Sequence, residues 1–437
     1  MDLWWPFAYD MAMQILIALL SYLGFFLLTP LLFTHPKLRN GFLARMGLYS
    51  SDHFGKKKQQ RILLHGASAG DVLALIPLVR ELRKLSSDRE YILSTITNSG
   101  HAMAKLNSEH FDHITYMAYD LPGATGRMLD HIQPDILILE YTELWPNLIH
   151  QAKKRGVSMA MHNGRISQSQ YRNYRVLFRI GGNILQKLDL LLMRSEADAE
   201  RALALNAPKE RTLISGNTKY DNLVQRIEQE KQQALRKACG LREDSLVWVA
   251  GSTHEGEEEL LFQTYLQLKI AFPQLAFVIG PRYADRAPRL GEIANTMDIN
   301  FQLRSENKAE NSNVTIIDTI GELSLAYSLA NVVFVGGSFT LRHGQNILEP
   351  AACAKPVVFG PNMDNFSDAV ALLLGRGGIQ VANQEQLYKT LLELLGKKDE
   401  MVQLGLMAKK NIQHLAGVAE KNAKQIEELL AQRQATT

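Results

Sequence analysis

The chain has 437 residues, of which 46% are apolar and 21% charged, and this balance excludes a disordered or fibrous protein. The formal net charge of +3 is too small to indicate nucleic-acid binding. Two cysteines, Cys239 and Cys353, exclude a disulfide framework, and no cysteine–histidine cluster points to zinc. The length predicts two domains.

The first predicted element is an apolar segment, Met11–Thr34, which carries no charge. A helix of this length would be about 36 Å long, enough to cross a hydrocarbon core of about 30 Å. All the basic residues of segment 1–62 follow it: Lys37, Arg39, Arg45, Lys56, Lys57, Lys58 and Arg61. The positive-inside rule then places the rest of the chain in the cytoplasm. We predict a membrane anchor, either single-pass or monotopic; a cleaved signal peptide and an apolar helix docked on the soluble part are the alternatives.

Beyond residue 60, short β-branched runs alternate with amphipathic stretches, a pattern that predicts parallel βαβ units covered on both faces. Strands are predicted at Arg61–His65, Tyr91–Thr95, His113–Met117, Ile136–Leu139, Val157–Met161, Leu190–Met193 and Thr212–Ser215. After a polar connector, Gln225–Lys237, further strands are predicted at Leu246–Ala250, Ala276–Gly280, Val314–Asp318, Val332–Val335 and Pro356–Phe359. We predict an α/β protein with two Rossmann-like, doubly wound domains facing a cleft. The predicted divisions are 1–48 (anchor and basic flank), 49–224 (acceptor domain), 225–244 (linker), 245–410 (donor domain) and 411–437 (C-terminal helix).

The first strand leads into His65–Val72, where small residues allow a sharp turn into a helix. Asp71 at the start of this helix could accept a proton from an attacking hydroxyl, or could merely complement the helix dipole. The segment Gly66–Gly70 also matches the G-x-S-x-G nucleophile elbow, with Ser68 as nucleophile, but no HGGG-type oxyanion segment precedes it.

Further candidate site residues follow the later strands of the first half. Glu140 and Glu143 could line an acceptor pocket beside Trp145, or could belong to a simple strand-to-helix turn. Arg165 could meet an anionic group, or could lie on a surface turn. Lys219 could face the cleft, or could belong to a linker.

Strand ends of the second half offer groups suited to a nucleotide. Ser252 and Glu255 match an S-x-x-E capping box, which leaves His254 unassigned. Arg282 could clamp a phosphate through its planar fork, or could be solvated.

The segment from Phe334 to Glu349 is the most specific one. Its paired glycines would let backbone N–H groups approach a phosphate, and a carboxylate near the following helix start could accept both ribose hydroxyls. The residues concerned, with one from the next loop, are Gly336, Gly337, Ser338, Asn346, Glu349 and Asn365. Three such loops in order indicate a nucleotide-sugar site.

Taken in order, these segments resemble the 3-deoxy-D-manno-octulosonic acid (Kdo) transferases of Gram-negative lipopolysaccharide synthesis. The resemblance runs from the anchor to about Val381. The matching segments are His65–Val72, Tyr119–Gly123, Thr142–Asn147, Asn163–Ser167, Gly216–Asp221, Ser252–Glu259, Pro281–Arg286, Asp318–Leu323, Gly336–Ala351 and Gly360–Phe366. The resemblance implies a two-domain GT-B glycosyltransferase at the cytoplasmic face of the inner membrane. Such an enzyme moves Kdo from its CMP-activated form to a lipid A precursor and needs no metal or other cofactor.

The resemblance also implies roles for individual residues. Asp71 takes the position of the general base, where the family normally has glutamate, and the shorter side chain would reduce its reach by about 1 Å. Tyr283 stands where the family has histidine, and His343–Asn346 reads His-Gly-Gln-Asn instead of the usual Gly-Gly-His-Asn. The implied acceptor side comprises Ser68, Gly70, Glu143, Arg165 and Lys219. The implied donor side comprises Ser252, His254, Arg282, Gly336, Gly337, Ser338, His343, Asn346, Glu349 and Asn365.

Three functions follow as hypotheses. The first is an inverting, metal-independent transfer of Kdo or a related ulosonic acid, with CMP-activated sugar, lipid A precursor and membrane lipid as partners and no nucleic acid. The second is a non-catalytic or substrate-divergent paralogue that binds nucleotide or lipid. The third is a serine hydrolase that uses Ser68.

Overall fold

The chain forms two compact units, Met1–Asn222 with Gly417–Thr437 and Leu223–Ala416. The computed structural model describes residues 5–34, 39–57, 59–218, 220–221, 229–306, 312–413 and 415–434. Each unit contains one parallel sheet of seven strands. The α/β class and the two doubly wound sheets predicted from the sequence are therefore confirmed.

The first unit builds its sheet in the order β3-β2-β1-β4-β5-β6-β7. Its strands are β1 (Gln60–His65), β2 (Arg89–Thr95), β3 (His113–Tyr116), β4 (Ile136–Glu140), β5 (Ser158–Gly164), β6 (Leu190–Met193) and β7 (Thr212–Ile214). Its helices are α1 (Trp5–Thr34), α2 (Phe42–Arg45), α3 (Ala69–Leu85), α4 (Asn98–Leu106), α5 (Pro122–Ile132), α6 (Pro146–Lys154), α7 (Gln168–Gly181) and α8 (Glu196–Ala204). Strand addition reverses between β1 and β4, and ligands of such sheets bind at the carboxyl ends of the strands at that switch point.

Strand side chains point alternately to two separate cores. Ile62 and Leu64 of β1 belong to a core that contains Val79 of α3. Leu63, between them, belongs to the core on the other face, with Leu148 of α6. The sheet is thus buried on both faces, as the uninterrupted apolar runs predicted.

Helix α1 packs along the first unit. Asn147 Nδ2 donates to Ser21 Oγ at 2.9 Å, and the ring of Phe25 lies 5.2 Å from that of Tyr119. Other large apolar side chains of α1 are exposed: Ile15, Leu16, Leu19, Leu20, Leu23, Phe26, Leu27 and Leu28. Among the described residues, no helix is long and apolar enough to cross a membrane.

The second unit builds its sheet in the order β10-β11-β9-β8-β12-β13-β14, with the switch point between β8 and β12. Its strands are β8 (Leu246–Thr253), β9 (Leu275–Pro281), β10 (Phe301–Leu303), β11 (Val314–Ile316), β12 (Val332–Val335), β13 (Val357–Phe359) and β14 (Gly378–Gln380). Its helices are α9 (Gln229–Ala238), α10 (Glu258–Ala271), α11 (Ala287–Thr296), α12 (Leu323–Leu329), α13 (Leu348–Ala352), α14 (Ser367–Leu373), α15 (Gln384–Gly396) and α16 (Lys398–Gln413).

The last helix, α17 (Val418–Gln434), returns to the first unit and packs on α3. Asp221 fixes its start, because its carboxylate accepts the backbone N–H groups of Val418 at 3.2 Å and Ala419 at 2.6 Å. A carboxylate at this end of a helix satisfies unpaired donors and complements the helix dipole.

Candidate active site

Asp71 lies in the first turn of α3, at the carboxyl end of β1. Its Oδ2 accepts the backbone N–H of Ser68 at 2.8 Å, and the Ser68 side chain accepts the backbone N–H of Asp71 in return. This reciprocal pair is a capping box, so the structural role foreseen for Asp71 is present. The side chain is half-buried, and Oδ1 has no hydrogen-bond partner within the described ranges. One oxygen is therefore held in place while the other is available for a substrate.

The geometry of Ser68 does not fit a nucleophile elbow. Its backbone is extended, with φ −120°, whereas the elbow places its serine on a strained turn. The hydroxyl serves as the cap of α3, and no histidine ring bonds to it in the part of the chain that the structure describes. Gly70 is exposed, and a Cβ there would meet only Ser68 Oγ at 3.9 Å.

A buried polar network lies at the carboxyl ends of β4 and β5. Glu140 Oε2 lies 2.6 Å from His162 Nδ1, and Glu140 Oε1 accepts Asn163 Nδ2 at 2.7 Å. Asn163 continues the network to Thr218 Oγ1 at 2.8 Å. Burial raises the pKa of Glu140; the two partners oppose this, and the charge of Asp71 adds to it. The network is thus electrostatically coupled to Asp71.

Glu143 follows β4 and approaches the end of β1. It accepts Trp145 Nε1 at 2.8 Å and lies 3.6 Å from His65 Nε2. Burial alone would raise the pKa of Glu143, but His65 and Trp145 together lower it below its ordinary value. Glu143 is consequently an ionised acid near neutral pH, at the same sheet edge as Asp71.

Positive charge also lies near this edge. Burial raises the pKa of Tyr141, Glu140 and Asp71 add to that, and the guanidinium groups of Arg194 and Arg165 oppose it. Arg165 is exposed, while Arg194 pairs with Asp198 at 3.0 Å. Lys219, the other predicted cation, lies outside the described residues.

In the second unit, Glu257 organises the glycine loop. Its Oε1 accepts the N–H of Gly337 at 2.6 Å and that of His254 at 2.9 Å, and its Oε2 accepts that of Phe339 at 3.4 Å. Burial raises the pKa of Glu257 to about 7, although these three bonds oppose the shift. The N–H of Gly336 is also taken, by Gly251 O at 2.8 Å. Both N–H groups are thus bonded within the protein, and the phosphate contact predicted for this loop stays a prediction.

The capping box predicted between Ser252 and Glu255 is wrong. Ser252 belongs to β8 and has a left-handed backbone, φ +56°, and α10 begins only at Glu258. Glu255 is exposed and lies 3.5 Å from Arg286. A local pattern with the right spacing was thus overridden by a longer strand.

A cationic group of residues surrounds His254. Its Nδ1 lies 3.0 Å from Ser252 O, and burial, with the charges of Arg342 and Arg282, lowers its pKa. Arg282 is exposed and its Cζ lies 5.7 Å from the centre of the Tyr283 ring. A neutral imidazole beside two guanidinium groups is an environment that favours a phosphate.

Of the remaining residues predicted for the donor side, Asn346 and Glu349 form a polar pair, whereas Ser338 has a structural role. Asn346 Nδ2 donates to Glu349 Oε1 at 3.0 Å, and its Oδ1 accepts the N–H of Leu348, where α13 begins. This orients the Glu349 carboxylate. Ser338, by contrast, is buried and donates to Val335 O at 2.7 Å, so its hydroxyl has a structural role.

His343 and the loop after β13 form one exposed cluster. His343 Nδ1 lies 2.7 Å from Asp364 Oδ2, and the N–H of Asn365 donates to His343 O at 3.2 Å. His343 has φ +60°, a left-handed backbone conformation that is uncommon for a residue other than glycine.

The structure thus gathers the predicted residues at two switch points, one in each unit. Ser68, Asp71, Glu140 and Glu143 lie at the first, and Ser252, His254, Gly336 and Gly337 at the second. Sequence patterns did not indicate His162 or Glu257. In the described part of the chain, no group of three or more His, Cys, Asp or Glu residues could hold a metal ion.

Solved structures with a similar fold include an epimerase and a glycosyltransferase. A UDP-GlcNAc 2-epimerase from Neisseria meningitidis has a TM-score of 0.60 at 15% identity and covers 85% of this chain and 100% of its own. A glycosyltransferase from Rickettsia africae has a TM-score of 0.55 at 13% identity and covers 86% and 99%. At these identities the likeness establishes the fold, which is that of GT-B glycosyltransferases.

Sequence relatives define the family. The family described as 3-deoxy-D-manno-octulosonic-acid transferase (kdotransferase) matches residues 40–222. A 3-deoxy-D-manno-octulosonic acid transferase of Haemophilus influenzae is 30% identical over 378 residues, 85% of this chain and 87% of the relative. One of Chlamydophila psittaci is 28% identical over 340 residues, 77% of each. The chain belongs to the Kdo transferase family.

Proposed function

We propose that this chain is an inverting glycosyltransferase that moves Kdo, or a related ulosonic acid, from its CMP-activated form to a hydroxyl of a lipid A precursor. The observation that carries the proposal is the Asp71 carboxylate, fixed through one oxygen at the switch point of its sheet. Membership of the Kdo transferase family supports the choice of donor and acceptor.

Asp71 is the general base in this proposal. Its Oδ1 takes the proton of the acceptor hydroxyl while that oxygen attacks the anomeric carbon of the sugar. The bond between the anomeric carbon and the phosphate oxygen breaks, and CMP leaves with the bonding electrons. Because the Ser68 N–H holds Oδ2, the carboxylate enters the reaction already oriented.

The donor side stabilises the departing phosphate. Arg282 is exposed, and both Arg282 and Arg342 act electrostatically on His254, so their positive charge can offset that of the leaving CMP. Glu349, oriented by Asn346, accepts the ribose hydroxyls. We expect no metal to take part, so that EDTA leaves the rate unchanged.

We further propose that α1 holds the enzyme at the cytoplasmic face of the inner membrane by lying along the interface. The support is its row of exposed apolar side chains, such as Leu19, Leu23 and Phe26, on a helix whose other side packs against the first unit.

The test is to incubate the purified chain with CMP-Kdo and a lipid A precursor and to measure CMP release and the mass of the lipid product. We expect one or more Kdo residues on the lipid and loss of activity in Asp71→Ala. A chain that binds CMP but releases none from CMP-Kdo, while a known transferase is active in parallel, would favour the non-catalytic paralogue. Labelling of Ser68 by a fluorophosphonate would instead support a hydrolase.

A further inference from the structure

Helix α7 carries a row of arginines. Arg172, Arg175 and Arg179 are exposed and are spaced three and four residues apart, so they share one flank of the helix. None of them forms a hydrogen bond or an ion pair with any residue that the structure describes. The row is therefore positive charge available to a partner.

The same helix exposes apolar side chains next to the arginine row. Val176 and Leu177 are 56% and 57% exposed. The opposite side packs inward through Tyr174 and Phe178, whose rings stack at 5.2 Å. An exposed apolar strip beside a basic flank is typical of helices that lie at a membrane surface.

A shallow cavity of about 210 Å³ adjoins the row. It is lined by Arg175, Phe178, Arg179, Asn183, Gln186, Ala204, Leu205 and Asn206. No acid lines it among the residues that the structure describes, and the amides of Asn183 and Gln186 donate to the carbonyl of Asn206. Two guanidinium groups at one cavity without a competing carboxylate match a phosphate group.

The helix next to α7 makes a phosphate in a lipid headgroup a better match than a free phosphate. Helix α1 contacts α7, and both pack on the same core, α1 through Phe25 and α7 through Tyr174. Helix α1, which exposes a row of apolar side chains, is therefore a direct neighbour of α7. We propose that α7 is a second membrane contact, in which Arg175 and Arg179 bind the headgroup phosphate of an anionic phospholipid while Val176 and Leu177 enter the interface.

The test measures partition of the full chain onto vesicles of phosphatidylcholine alone and of phosphatidylcholine with phosphatidylglycerol, by co-sedimentation. Each basic residue near an anionic surface contributes about fivefold to affinity. Arg175→Ala with Arg179→Ala should therefore bind the anionic vesicles about 25-fold more weakly than the unmodified chain, with a smaller change on neutral vesicles.

A matched control removes the same charge from the other face of the sheet. Lys421 and Lys424 are exposed on α17, which packs on the opposite core, so Lys421→Ala with Lys424→Ala should retain the affinity. The proposal is overturned if the unmodified chain binds both vesicle types equally, if the arginine variant keeps its affinity, or if both variants lose it equally.

The inference is independent of the proposed transfer, because these vesicles contain neither donor nor acceptor. CMP release from CMP-Kdo in detergent solution should be unchanged in the arginine variant, and unchanged thermal unfolding would show that it folds. Loss of vesicle binding with normal CMP release would support the membrane contact and leave the transferase proposal intact.

Discussion

Glu257 Oε1 accepts the backbone N–H of Gly337 at 2.6 Å, and the same oxygen accepts that of His254 at 2.9 Å. The two bonds join the loops after β12 and β8, the strands on either side of the switch point. A buried carboxylate thus helps to give the glycine loop its shape.

This arrangement predicts a pH-dependent stability. Burial raises the pKa of Glu257 from 4.5 to about 7, so the folded chain binds more protons than the unfolded chain between these values. The free energy of unfolding should consequently fall as pH rises through this window, by up to about 3 kcal/mol. Glu257→Gln cannot ionise, and its stability relative to the unmodified chain should rise by that amount from pH 4.5 to pH 7 in urea titrations.

Glu259→Gln is the control for that experiment, because Glu259 is exposed in the first turn of α10, two residues after Glu257. Its stability relative to the unmodified chain should stay nearly constant over the window. If the free energy of unfolding of Glu257→Gln relative to the unmodified chain also stayed constant from pH 4.5 to pH 7, Glu257 would not titrate in this range.

Strand positions could be predicted because strands buried on both faces appear as short apolar runs. Leu190–Met193 and Val332–Val335 match the structure residue for residue. The strands β10 and β14 were missed because they are the two edges of the second sheet, and their partly exposed sequences contain no continuous apolar run.

The site was less predictable, since its decisive contacts are long-range. Glu257 and Gly337 are 80 residues apart, and the local S-x-x-E pattern pointed to Glu255 instead. His162 lies within the buried strand β5. Nothing in the sequence around it shows that its ring will contact Glu140, which ends the adjacent strand β4. The capping role of Asp71 could be foreseen because its partner, Ser68, is only three residues away.

The capping role of Asp71 and its proposed role as general base can be separated by Asp71→Asn. The amide oxygen can still accept the Ser68 N–H, so the free energy of unfolding should change by less than about 1 kcal/mol. The amide cannot take a proton, so the transfer rate should fall about 10²–10⁴-fold. Urea denaturation and single-turnover transfer measure the two effects.

Ser68→Ala is the converse variant, since it removes the hydroxyl cap and keeps the carboxylate. It should lose about 1 kcal/mol of stability and retain most of the transfer rate. If Asp71→Asn transferred sugar as fast as the unmodified chain, Asp71 would not be the base.

The buried pair of Glu140 and His162 should behave as a coupled unit. Both side chains are fully buried, so Glu140→Ala leaves a buried imidazole without its partner and should cost about 3–5 kcal/mol in urea denaturation. Removing both partners, in Glu140→Leu with His162→Leu, should lower the free energy of unfolding by less than the sum of the losses in Glu140→Leu and His162→Leu made singly. Additive costs would mean that the two side chains contribute independently.

Gly336→Ala tests whether the glycine loop shapes a donor site. A Cβ at Gly336 would lie 2.4 Å from Glu257 Oε1 and 2.6 Å from Thr253 Cα, and the backbone atom cannot move without displacing β8. We expect a loss of about 1–3 kcal/mol of stability and, because the His254 and Gly337 bonds to Glu257 are disturbed, CMP binding at least tenfold weaker by calorimetry. Gly396→Ala is the matched control in the same unit, since its Cβ would find its nearest neighbour at 4.0 Å and alanine favours the helix. A Gly336→Ala chain that bound CMP with unchanged affinity would place the nucleotide away from this loop.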